Sequence, residues 1–122
     1  MKLISFAAAV EAIAGLILMV APSLVARFLF GSDLDAVGEA VARVGGFGLL
    51  GLGLACGRGS APSGGESAAT RGLLAYNFLA TILFIDLGVR GSLVGLLLWP
   101  AAALHAVLTL LLGRLFVLTL RE

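Results

Sequence analysis

The chain has 122 residues, 61% of them apolar and 12% charged, with a formal net charge of +1 and a mean hydropathy of +1.15. A soluble domain of this size has too little interior to hide that much apolar surface, and so small a net charge leaves no footprint for nucleic acid. The composition therefore excludes a soluble enzyme, a disordered chain and a nucleic-acid binder.

Four segments of ~20 residues, the length that crosses a bilayer, divide the chain well. The first covers about 3–20. Lys2 and the apolar run behind it resemble a signal peptide, but Glu11 interrupts the run and Leu24-Val25-Ala26 is a poor cleavage site. The run is read as a retained span. Its nine or so strongly apolar residues, at roughly −0.5 kcal/mol each, outweigh about +3 kcal/mol for one acid. Pro22 and Ser23 end it. Residues 24–30 then predict a short interfacial elbow, whose Phe28 and Phe30 suit headgroup depth. Gly31-Ser32-Asp33 is a turn. Ser32 or Asp33 is expected to cap the next helix, with Asp35 in its first turn.

The second span covers about 36–56. It carries Arg43 and is rich in glycine, so it gains little from lipid alone and is expected to lean on its neighbours. Ala42, Gly46, Gly53 and Gly57 share one face as a small-residue packing surface. Gly48, Gly51 and Ala55 lie on another, so this helix is expected at the centre of the bundle. Residues 57–67 have the composition of a flexible linker. The third span covers about 72–89 and the fourth about 93–112. Their short connection makes them antiparallel neighbours. Trp99-Pro100 reads as an interfacial anchor followed by a kink, and Tyr76 as a headgroup-level anchor. The fold class is thus an all-α membrane protein: a four-transmembrane-helix antiparallel bundle, residues 1–122 as one domain, with an elbow after the first helix.

Basic residues orient it. With the N-terminus inside, Lys2, Arg58, Arg71, Arg114 and Arg121 face the cytoplasm, against Arg27 and Arg90 outside. Both termini are expected in the cytoplasm, the membrane being a bacterial inner membrane.

The polar residues inside the spans fall in one layer. At ~1.5 Å per residue, Glu11 lies ~12 Å from the inner side, Asn77 ~8 Å, Thr81 ~14 Å, His105 ~10–12 Å and Arg43 ~18–20 Å. Such groups are costly in lipid and mark either a site or a structural bridge. In the first reading Glu11, Arg43, Asn77, Thr81 and His105 bind a ligand or protons, with Arg43 as counter-ion. In the second Glu11 pairs with Arg43, and the others, with Thr109, hydrogen-bond across helices.

No motif for nucleophilic, metal or phosphate chemistry is present. The Gly46-Phe47-Gly48-Leu49-Leu50-Gly51 string lies in an apolar helix and is no dinucleotide loop. Cys56 stands alone, and one histidine makes neither a metal site nor a bis-histidine haem site. No metal and no cofactor are expected. The expected partners are the lipid bilayer and a homo-oligomer or larger membrane complex, not nucleic acid.

In size and hydropathy, and in the phrase Arg43-Val44-Gly45-Gly46-Phe47-Gly48-Leu49-Leu50-Gly51-Leu52-Gly53, the chain resembles small bacterial four-helix membrane proteins of the DoxX-like group. That resemblance implies a four-helix membrane fold and carries no functional residue. Four spans with one acid in the first are also similar in outline to small multidrug transporters, although an aromatic box around the acid is missing. Three functions follow, in order. The first is a non-enzymatic packing, accessory or self-associating membrane protein. The second is a small proton-linked transporter or lipophilic-ligand binder using Glu11. The third is a membrane enzyme acting on a lipid or quinone.

Overall fold

In the computed structural model, residues 2–57 and 65–121 are described. Among them are five helices: α1 (Lys2–Val20), α2 (Pro22–Phe30), α3 (Ala36–Gly57), α4 (Gly65–Arg90) and α5 (Leu98–Thr119). No described residue lies in a strand. All but α2 contain a stretch long and apolar enough to cross a membrane. At ~1.5 Å per residue, the 22 residues of α5 run ~33 Å, against ~30 Å of hydrocarbon. Bulky apolar side chains point outward from the bundle: Val20, Val89, Leu96 and Leu110 are each more than 70% exposed. Water would not tolerate that surface, and lipid covers it. The protein is an integral membrane protein built as an all-α four-helix bundle.

The long helices alternate in direction. One end of the bundle holds the start of α1 and the finish of α5, and is called the terminal end. The other holds α2 and is called the elbow end. The helices form two close pairs, α1 with α3 and α4 with α5. The first pair meets almost backbone to backbone. A Cβ placed on Gly15 would fall 2.7 Å from the Gly46 carbonyl oxygen, and one on Gly53 would fall 2.6 Å from that of Ala8. Only glycine permits that approach. Gly57 continues the face, where a Cβ would fall 3.9 Å from the Ala8 methyl, and Ala42 is half-buried.

The expectation that α3 sits centrally does not hold. It packs mainly on α1, touches α4 lightly, and among the described residues its backbone does not come close to that of α5. Its second small face is therefore bare. Gly48 and Gly51 have open space where a Cβ would be, and Ala55 is exposed. One smooth face found a partner within the chain and the other did not.

The elbow end is pinned by backbone and charge. Pro22 opens α2, where its missing N–H costs nothing. Gly31 closes it at φ 68°, donating its N–H to the Arg27 carbonyl at 3.0 Å. Two more carbonyls near the end of α2, on Phe28 and Leu29, accept the N–H groups of Leu97 (2.8 Å) and Gly95 (2.9 Å). Those bonds hold residues 94–97 against α2, so α5 begins at Leu98 and not near 93. Pro100 then stands in the first turn of α5, where proline is tolerated, so it produces no kink there. The cap of α3 is Asp35, whose carboxylate accepts the Gly38 N–H at 2.6 Å; Ser32 and Asp33 do not serve. Asp33 pairs with Arg27. At the terminal end, α4 starts at Gly65, inside the segment expected as a linker; residues 58–64 of that linker lie outside the described residues.

Candidate functional site

Three side chains from three helices meet at mid-depth. Asn77 stands ~18 Å from the start of α4 and ~20 Å from its end. Its amide Nδ2 donates to Glu11 Oε1 of α1 at 3.1 Å and to its own helix at the Leu73 carbonyl, 2.9 Å. Its carbonyl Oδ1 lies 2.7 Å from Nδ1 of His105 on α5. An amide oxygen only accepts, so His105 donates from Nδ1. Glu11 Oε1 lies 3.9 Å from the same nitrogen. Asn77 therefore holds an acid and an imidazole on its two ends. Glu11 and Asn77 are fully buried, and His105 is 9% exposed.

Two apolar clusters enclose this layer. Toward the terminal end lie Ala7, Ala8, Cys56, Leu73, Leu108 and Leu112. Toward the elbow end lie Ala80, Phe84, Leu98 and Ala102, with Leu29 and Phe30 of α2 packed on them. The spacing is helical. Ala7 and Ala8 lie one turn below Glu11, Leu73 one turn below Asn77, and Leu108 one turn below His105, each on the same inward face. The imidazole is walled by two rings, Tyr76 edge-on at 5.8 Å between centroids and Phe84 tilted at 5.5 Å.

One atom in the layer is left over. Glu11 Oε2 is buried and has no hydrogen-bond partner among the described residues. Such an orphan is expensive in a low-dielectric interior. A carboxylate with one free oxygen, held 3.9 Å from an imidazole, is the only arrangement of this kind that the described residues show.

Not every residue of the expected layer joins it. Thr81 turns its hydroxyl back to the Asn77 carbonyl at 2.7 Å, and Thr109 does the same to His105 at 2.7 Å. Each satisfies its own helix and bridges nothing. Arg43 is elsewhere altogether. It is exposed, its Nε donates to the Met19 carbonyl near the end of α1 at 3.3 Å, and its Nη2 lies 3.7 Å from Glu39 Oε2. The expected Glu11–Arg43 pair is not made. Depth along an axis does not fix direction around it, and this long side chain snorkels to the elbow end. There it joins a small network, since Glu39 also accepts from the Ser23 hydroxyl of α2.

Tyr76 and Phe84 were not legible as members of the site. Tyr76 lies one residue before Asn77 and reads as an anchor, yet its ring packs on His105. No sequence signal distinguishes the two roles. Three surface grooves are lined by other residues: one between α1, α2 and Leu97, one on α5, and one along the α1–α3 seam. Among the described residues no three metal-ligating side chains come together. No family model matches the chain, and no curated protein or solved structure is significantly similar to it.

Proposed function

We propose that the protein is a non-enzymatic packing or accessory protein of the bacterial inner membrane that associates with a second copy of itself or with a larger membrane complex. The observation that carries this reading is the bare face of α3. Gly48, Gly51 and Ala55 present smooth backbone outward, with open space above the two glycines. Small residues that let helices approach are the usual basis of association in lipid, where apolar burial gives no advantage. The same device already joins α3 to α1 on the opposite face. The buried layer, in this reading, fixes the bundle so that the face is presented rigidly.

Both termini in the cytoplasm is the orientation that the basic residues favour. Lys2, Arg71, Arg114 and Arg121 lie toward the terminal end, and Arg58 follows α3 there in sequence. Arg27, Arg43 and Arg90 lie toward the elbow end, each beside a carboxylate.

The test is Gly48→Leu/Gly51→Leu, made in the full chain in lipid vesicles and read by single-molecule photobleaching. The expected result is loss of the oligomer with helix content unchanged. A chain that remains oligomeric would reject the reading.

A second reading, proton-linked transport or lipophilic-ligand binding, is favoured by one atom, the orphan Glu11 Oε2. Glu11→Gln separates the two. Loss of proton or ligand binding with intact assembly supports the second; loss of assembly alone supports the first.

A further inference from the structure

Five of the seven arginines fall into two groups. Toward the elbow end, Arg27 faces Asp33, Arg43 faces Glu39, and Arg90 faces Asp86 at 2.9 Å. Toward the terminal end, the guanidinium groups of Arg114 and Arg121 have neither an ion pair nor a hydrogen bond among the described residues. Arg114 lies within α5 and Arg121 two residues past its end, and both line the same side of it. They flank a groove of about 460 Å³ along α5, floored by Leu110, Gly113, Val117 and Leu118 and reaching past Arg114 to Thr109. Gly113 deepens it: a Cβ there would meet only the Leu74 side chain, at 3.8 Å.

The dimensions match one leaflet. From Thr109 to Arg121 is twelve residues, ~18 Å at 1.5 Å per residue, against ~15 Å for half of a ~30 Å hydrocarbon core. Thr109 and Leu110 lie at acyl depth and Arg121 lies where headgroups begin, while Arg114, ~10 Å deeper along the chain, extends its long side chain toward that level. The geometry points to a binding site for an anionic phospholipid, its phosphate held by Arg114 and Arg121 and an acyl chain laid along the groove. Guanidinium is the side chain best shaped for phosphate, which it binds through parallel N–H donors. Charge decides the occupant: a zwitterionic lipid fits the floor equally well but brings its own cation to the arginines. This site is independent of the bare α3 face and of Glu11.

The experiment reconstitutes the full chain in nanodiscs of phosphatidylcholine with one-fifth phosphatidylglycerol. Lipids retained after gentle release are counted by native mass spectrometry. The wild type is expected to hold phosphatidylglycerol well above its share of the bilayer. Each basic residue near an anionic surface is worth about 5-fold in affinity, so Arg114→Gln/Arg121→Gln should abolish the enrichment. Arg114→Lys/Arg121→Lys should keep most of it, and Arg90→Gln at the other end should leave it unchanged. Wild-type retention that merely mirrors the bilayer would overturn the proposal. So would a double-glutamine variant that still enriches phosphatidylglycerol, or enrichment removed by millimolar inorganic phosphate. A change of oligomeric state in that variant, without change in bound lipid, would make the groove a protein contact and equally overturn it.

Discussion

α1 and α3 meet backbone to backbone, whereas α4 and α5 meet through side chains. In the first pair Gly15, Gly46 and Gly53 leave no room for a Cβ against the facing helix. In the second, Asn77 bonds His105, and Trp99 lies over Gly88, where a Cβ would come within 2.6 Å of the indole. The two pairs draw their specificity from different sources. A glycine seam is held by close van der Waals contact along a length, and many registers a turn apart satisfy it. A buried polar pair is satisfied in one register only, because a slip leaves donors and acceptors without partners. Glu11 extends that single register to the glycine-seamed half, since it is the group of α1 that Asn77 reaches.

The largest loss is expected at the glycine seam. Gly53→Leu forces a side chain into the Ala8 carbonyl and the Ala12 methyl. The expected loss is about 3 kcal/mol of bundle stability, the upper end for overpacking, read by unfolding in a detergent series. Next is Asn77→Ala, which strands Glu11 Oε1 and His105 Nδ1 at once. It should cost about 2 kcal/mol, since each orphaned group costs ~1–3 kcal/mol in part recovered by relaxation. Its signature is distinct from that of Gly53→Leu: α1–α3 crosslinks survive, while α1–α4 crosslinks weaken. Trp99→Ala removes the ring over Gly88 near the elbow end. Half of that ring faces lipid already, so the expected loss is about 1 kcal/mol, well below that of a fully buried aromatic. Smallest is Glu39→Gln, in the part-exposed network with Ser23 and Arg43. An exposed pair is worth ~0–1 kcal/mol, so the bundle should persist while the elbow alone gains hydrogen exchange.

Much of the fold was legible because length and hydropathy alone mark a span. The pairing of α1 with α3 was half legible. Two small-residue faces on one helix look identical in sequence, and only packing shows that Gly46 and Gly53 are covered while Gly48 and Gly51 are not. The start of α5 was misread because residues 94–97 are as apolar as a span; what keeps them out of the helix is a pair of N–H groups given to α2. In the site, depth arithmetic gathered Glu11, Asn77 and His105 on one level. It also gathered Arg43 and Thr81, which share that level only on paper, and Thr109 was expected to bond across helices but does not. Threonine can close on the carbonyl four residues back, and a long arginine can leave its own depth. Neither choice is written in the spacing.

The claim that ties the two halves together is the Glu11–Asn77 bond, and a double-mutant cycle measures it. Glu11→Gln, Asn77→Leu and the double variant would be compared with the parent by reversible unfolding in bicelles. Residues in direct contact within one network couple by about 0.5–3 kcal/mol, and the expected coupling is at least about 1 kcal/mol, with the double variant little worse than Asn77→Leu alone. Strictly additive losses would mean that the two side chains do not act on each other, and that something else clasps α1 to α4 and α5.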